Sequence, residues 1–479
     1  MRLSRNRAPL VIALALLVLA LAAARDLTRL GNALPWRTMD EFADFYCAGS
    51  ALDERASPYT YEPLRTCEHK VNVGGSFRGR LFAENATVAV PAPQPAYDFL
   101  PFMALAHLPA AAARVVDGVA ILAAIALCAV ALAALGVPLD LAVAALVLST
   151  AFVELNTAQI VPFALLALVL CGYFLARRRD ALAGIAASLT AIEPTAGIPV
   201  IAAALLFAPR ARWAVVSTAA ALALVFFGLV GGAGVVHYFS QVLPAHAGAE
   251  LLFPFQYSLT YALAFAGLPP AFARAAGALS YLVLSIAGLL IAPRVAATLA
   301  RRELLVFIPA LCAVVAGPFL HQEELCFALP ALLVLAVAAR GSARTVFATA
   351  LCALAIPWIL VWGMKQLLLA SALVCAAILL RLRVARWAGV ATFCAIVAAL
   401  YLLELRPPHL PVPAPAARTY AADQVAEVEW RDYTGQRSSR DPLWFLIKVP
   451  TWAALLAALT MAARSGRRSR DASAASHES

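Results

Sequence analysis

The 479-residue sequence predicts an all-α polytopic membrane protein, with about 12–14 transmembrane helices and a long first extracytoplasmic loop. Three observations predict it. The chain is 63% hydrophobic and 13% charged, with a mean hydropathy of +0.83; a soluble domain carries about 25% charged residues. Apolar runs long enough to cross ~30 Å of hydrocarbon recur from end to end. Arginines fall in short clusters between these runs: Arg2, Arg5 and Arg7; Arg177, Arg178 and Arg179; Arg210 and Arg212; Arg294, Arg301 and Arg302; Arg381, Arg383 and Arg386; Arg464, Arg467, Arg468 and Arg470. That placement is the positive-inside pattern of cytoplasmic turns. The formal net charge of +10 therefore argues for membrane topology and against a nucleic-acid partner.

The elements follow in order. Basic residues precede an apolar run from Ala8 to Ala24, which reads as an uncleaved first helix running outward; a cleaved signal peptide is the alternative. Residues 25 to about 114 form the first external loop. Its acids and bases are nearly balanced, and turn signals (Ser57-Pro58, Gly74-Gly75) and Pro91, Pro93 and Pro95 make it too polar for lipid. Cys47 and Cys67 lie in this loop. They form a disulfide if the loop faces an oxidising compartment, and two free thiols are the open alternative. The other seven cysteines sit in apolar runs and read as small core residues. Tyr97 to Pro109 is apolar but short. Counting it as a span would put Arg177 to Arg179 outside, so it reads as re-entrant or interfacial.

Spans follow at 115–136, 139–153 and 159–176. Residues 181–208 read as a hairpin of two short helices broken at Glu193-Pro194, because both ends are basic. A span at 213–232 leads to a second external region, 233–270. Further spans are expected at 271–292, 303–319, 325–339, 344–362, 366–380 and 387–404. A third external loop covers 405–441, a last span 443–463, and a disordered cytoplasmic tail 465–479. Residues 1–340 form the main membrane module, and 341–464 add C-terminal helices.

Ionisable groups near membrane depth are functional candidates by default, because lipid makes them costly. Here they gather in the external turns: Asp40, Glu41 and Asp44; Glu154, Asn156 and Gln159; His321, Gln322, Glu323 and Glu324; His237 and His246; and Lys365. Each has a plainer reading as a helix cap, a solvated turn or a snorkelling side chain. Several turns presenting polar groups on one side suggest a single cleft. No Walker A loop, dinucleotide fingerprint, G-x-S-x-G elbow or H-E-x-x-H motif is present, which argues against a nucleotide-driven pump.

Several motifs in order resemble glycosyltransferase family 87. Asp44-Phe45-Tyr46-Cys47-Ala48-Gly49-Ser50-Ala51-Leu52, followed by Ser57-Pro58-Tyr59, resembles that family's first-loop signature. Tyr97-Asp98-Phe99-Leu100-Pro101-Phe102 is similar to its Tyr-x-Pro-Pro-Phe element. Asn156-Thr157-Ala158-Gln159 stands at a Gly-Gln-x-Asn element, and Glu193-Pro194 at a Lys-Pro. Gln256-Tyr257-Ser258-Leu259 resembles Asn-x-Ser-Leu, and Gly317-Pro318-Phe319-Leu320-His321 resembles Ser-Pro-x-Ser-Trp followed by His. Ala158, Val161 and Glu193 depart from the pattern, replacing a glycine, an asparagine and a lysine.

The resemblance implies a GT-C fold in the plasma (inner) membrane, both termini cytoplasmic and the active site extracytoplasmic. It implies transfer of a hexose, in the first instance mannose, from a polyprenyl-phosphate donor to a lipid or glycan acceptor. The reaction would invert at the anomeric carbon, with Asp44 as base. Sugar nucleotides are cytoplasmic, so an outward-facing transferase needs a lipid-linked donor. Cations or polar groups must then bind the phosphate and the sugar: Arg65, Lys70, Arg78 and Arg80 in the first loop, with Tyr59, Asn156, Gln159, His246 and His321. This scheme calls for no cofactor or metal. A secondary transporter or lipid flippase, and a non-catalytic envelope scaffold, are the alternatives.

Overall fold

The computed structural model describes residues 8–30, 39–71, 87–384, 408–409, 411 and 419–475. Arg78, Arg80, the expected span at 387–404 and much of the third loop lie outside these. All regular structure among the described residues is helical, apart from two isolated bridges, Thr60 with Val425 and Gln256 with His321. Five helices there are long and apolar enough to cross a membrane: Ala110–Ala134, Leu139–Thr157, Pro209–Ala249, Pro270–Leu299 and Leu443–Ser465. A helix satisfies its own backbone groups, which hydrocarbon cannot do for it.

Burial sorts the helices into layers. Leu329–Ala338 is apolar all round, and every residue from Leu329 to Ala336 is buried, as suits a central helix. Pro209–Ala249 and Pro270–Leu299 lie on the outside; Leu224 is 72% exposed and Leu279 62%. Such side chains suit a lipid solvent. The first helix, Ala8–Leu30, packs against Leu139–Leu146 and Lys365–Arg381, and Gly341–Ala355 packs against the last helix, Val449–Ala475. The segment after residue 340 therefore folds back onto the segment before it.

The bundle has two chemically distinct ends. At one, Arg381 pairs with Asp140 at 2.8 Å and Arg302 with Asp180 at 3.5 Å. Arg301 bonds Glu303 and the Leu135 carbonyl, and Arg177 the Ala134 carbonyl. Leu139–Thr157 starts beside these arginines and finishes at Glu154 and Asn156, and Val161–Ala176 runs back from Gln159 to Arg177. Acids and amides thus lie at the other end.

Several boundaries move. The expected hairpin is two helices, Asp180–Leu189 and Pro194–Phe207, broken at Glu193, where proline opens the second. The expected span at 213–232 ends its straight course at Gly231 (φ 70°), but the chain turns there and stays helical to Ala249. A glycine admits that left-handed backbone without breaking the apolar pattern beyond it. The last helix is described as far as Ala475, within the stretch 465–479 expected as a tail, and 476–479 lie outside the described residues. Tyr97–Pro109 is the 3-10 turn Ala96–Phe99 and the short helix Leu100–Leu105, too short to span.

Candidate functional site

The first loop builds one wall of the polar end. Its helix Phe42–Asp53 is almost wholly buried, and Asp44 in its first turn is 3% exposed. The helix packs on Leu100–Leu105, and Gly49 makes this approach possible: a Cβ there would lie 2.7 Å from the Met103 nitrogen. A disulfide between Cys47 and Cys67 ties it to the next helix, Tyr61–Val71. Of the two readings left open by the sequence, the bonded one is found.

The start of that helix docks on the turn after Leu139–Thr157. The Asp40 and Glu41 amides donate to the Asn156 and Thr157 carbonyls at 3.0 and 2.8 Å. Gln159 donates through Nε2 to Glu41, and its backbone N–H donates to Glu154 Oε2 at 3.1 Å. The Asn156 side chain turns back to the Phe152 carbonyl, at 2.6 Å, so it is its backbone that serves the junction. Ala158 holds φ 63° at the end of this helix. That is a conformation glycine adopts more easily than alanine.

A second wall centres on His321. Its Nε2 lies 3.3 Å from Glu250 Oε2 and 3.2 Å from Gln256 Nε2, and its Nδ1 3.8 Å from Glu324. Gln256 Oε1 accepts the Leu320 N–H at 3.1 Å, completing a small clasp between two turns. Burial alone would favour the neutral ring, but the hydrogen bonds to Glu250 and Glu324 hold His321 well above the usual histidine range. Glu250 is correspondingly held low, because His321 and the indole of Trp430 outweigh its burial. Both directions favour the charged pair, imidazolium beside carboxylate. His246 lies within electrostatic reach of both.

The two walls meet through carboxylates. Glu154, fully buried, lies within electrostatic reach of Glu323, Glu41 and Glu324. Glu193, at the break of the hairpin, lies near Glu324, His321 and Glu323. Asp98 lies near Glu193 and beside Tyr59, whose hydroxyl donates to the Gln94 carbonyl at 3.0 Å and whose ring meets Tyr238 at 5.3 Å. Three of the polar turns singled out in the sequence, at Glu41, at Glu154 to Gln159 and at His321 to Glu324, thus come together in space.

Not every predicted residue joins it. Arg65 is neutralised on its own helix by Glu62, at 2.9 Å, and lies over the Tyr61 ring. Lys70 is exposed on the last turn of the same helix. An amphipathic helix presents long cations outward unless another element covers them, and among the described residues none covers Lys70. The sequence expects both to bind the donor phosphate or the substrate; the structure places Arg65 against Glu62 and Lys70 on the exposed side of their helix.

A third wall comes from a C-terminal segment. The helix Ala426–Arg437 sends Trp430 Nε1 to Glu250 Oε1 at 2.6 Å and the Thr434 hydroxyl to the Ala249 carbonyl at 2.8 Å. Glu429 accepts the Ala89 N–H at 3.0 Å, and the Ala426 N–H donates to the Tyr59 carbonyl at 3.0 Å. Glu250, Trp430 and Glu429 escaped the sequence reading, because acids and aromatics in a polar loop carry no pattern of their own. Among the described residues no group of three His, Cys, Asp or Glu side chains is arranged to hold a metal ion.

No protein-family model, curated protein or solved structure matches this chain.

Proposed function

We propose that the chain is an integral-membrane glycosyltransferase that uses a polyprenyl-phosphate sugar donor, with Asp44 as the base. On this reading the short apolar helices complete a GT-C-like bundle beside the five long ones, and the arginine end faces the cytoplasm. The acidic end and its disulfide face the oxidising side of the inner membrane. The observation that carries the proposal is the meeting of the Asp44 helix, the Gln159 turn and the His321 clasp at one end of the bundle. These are the elements whose motifs resemble the family.

The chemistry suits these groups. An acceptor hydroxyl loses its proton to a carboxylate as its oxygen bonds to the anomeric carbon. The bond from that carbon to the phosphate oxygen breaks, leaving polyprenyl phosphate. One carboxylate suffices for inversion with so good a leaving group, and nearby cations and amides stabilise the departing charge. A hexose, mannose first among them, is the sugar to try, with a lipid or glycan acceptor.

The test is sugar transfer by membranes given labelled polyprenyl-phosphate mannose, with wild type beside Asp44→Asn. Transfer by the wild type and a loss of about 100-fold or more in the normally inserted variant are expected. Equal transfer by both removes Asp44 as base. No transfer from any of a panel of polyprenyl-phosphate sugars removes the enzyme. A transporter reading draws on the broken helix pair at Glu193, a feature that marks midplane binding sites; retained substrate uptake without transfer would favour it.

A further inference from the structure

Lys448 sits in the turn that joins the short helix Leu443–Leu446 to the last helix. None of its side chain is exposed, and Nζ has no hydrogen-bond partner among the described residues. Among the described residues no carboxylate acts on it. His321, Arg65, Arg301, Arg302 and Arg381 differ, each having a carboxylate partner. Nζ rests instead over the face of Tyr261, 3.3 Å from its centroid, and 5.7 Å from that of Tyr257. The Tyr261 hydroxyl is buried and also lacks a hydrogen-bond partner among the described residues. The Tyr257 hydroxyl lies beside Thr451.

A lysine amine buried over two phenols keeps its charge only where an anion stands beside it. Ring faces attract a cation but replace neither its lost water nor its counter-charge. Buried charges in folded proteins are paired or bind a ligand. The missing partner is an anion that accepts from Nζ and from phenol hydroxyls, which is the chemistry of a phosphate oxygen.

Two neighbours narrow the anion further. Leu446 and Val449, on either side of Lys448, are 56% and 42% exposed on an apolar surface. An anion reaching Lys448 can therefore leave an apolar tail along that surface. Tyr257 is bonded through its backbone N–H to the Leu320 carbonyl at 2.5 Å, and its neighbour Gln256 touches His321. The anion would thus stand beside the His321 clasp. We propose that Lys448, with the hydroxyls of Tyr257 and Tyr261, binds the phosphate of a lipid phosphate monoester. The choice of a polyprenyl tail rests on the transferase reading. The phosphate site itself does not, and a phosphatidic-acid headgroup offers the same chemistry.

The full-length protein in phosphatidylcholine nanodiscs is titrated with a polyprenyl phosphate, the matching neutral polyprenol and phosphatidic acid, with bound lipid counted by native mass spectrometry. Wild type should prefer polyprenyl phosphate over polyprenol by about tenfold or more. Lys448→Met should lose that preference, and Lys448→Arg should keep most of it. Phosphatidic acid that displaces polyprenyl phosphate from wild type, and binds Lys448→Met weakly, identifies the site as one for either lipid. If it binds in place of polyprenyl phosphate, the source is the phospholipid. Wild type that binds neither polyprenyl phosphate nor phosphatidic acid better than the alcohol overturns the site, and so does a folded Lys448→Met that keeps the preference. The wild-type comparison alone decides if the methionine variant does not fold. Lys448-dependent binding without sugar transfer leaves the site standing and sinks the transferase reading. Transfer with an unchanged donor KM in Lys448→Met does the reverse.

Discussion

At the residue scale, Glu427 meets no hydrogen-bond donor among the described residues apart from its own backbone N–H, and its side chain is wholly buried. Burial pushes its carboxyl up to about 8 from an ordinary 4.5. A folded acid with a raised value holds its proton over a range where the unfolded chain has lost it. Stability therefore falls as pH rises from about 4.5 and levels off above about 8. Glu427→Gln should remove that slope. Its stability advantage over wild type should open across this interval and reach several kcal/mol at most, since moving a pKa by one pH unit corresponds to about 1.4 kcal/mol. Denaturation midpoints of both proteins from pH 4 to 9 check this; parallel profiles would show that Glu427 reaches water. Nothing in the sequence marked this residue, because one acid among several in a polar helix looks solvated. Lys448 likewise reads as a helix-end cation until the rings around it are seen. Gln159 and His321 were legible because each lies in a turn between apolar runs, where a polar group is costly enough to need a reason, and Asp44 through the motif it opens.

At the scale of elements, the Cys47–Cys67 disulfide closes a 20-residue separation between the two helices of the first loop. Such a closure is worth about 3 kcal/mol through the entropy of the unfolded chain. Cys47→Ser should lower stability by about 2–4 kcal/mol and should weaken the docking of Phe42–Asp53 against the Gln159 turn. Thermal unfolding with and without reductant checks it: wild type under reductant should match the variant. Insensitivity of wild type to reductant would mean that the bond does not form in the membrane-inserted protein. Helix positions were largely readable, since apolar runs and proline breaks act locally. The continuation beyond Gly231 was not, because a glycine inside an apolar run is compatible with both a stop and a turn.

At the scale of the whole molecule, the bundle sorts its charges to two ends: arginines beside Asp140 and Asp180, acids and His321 at the other. Cysteine placed at Lys70 should therefore react with a membrane-impermeant maleimide in intact cells, while cysteine placed at Arg178 should react only after permeabilisation. Labelling in the opposite order would turn the molecule over and take the proposed active site away from a lipid-linked donor. The composition and the arginine spacing, both local quantities, were enough to assign the solvent as lipid and most helices to their places. What they could not supply was distance. Glu154, Glu193, Glu250 and His321 come from four separate stretches of chain, and only packing decides that their charges meet. The same holds for Ala426–Arg437, which reaches back across the sequence to Tyr59, Ala89 and Glu250. Apolar periodicity reports whether a residue is in lipid or water, whereas a site depends on which buried polar groups face one another, and that is settled by the tertiary contacts alone.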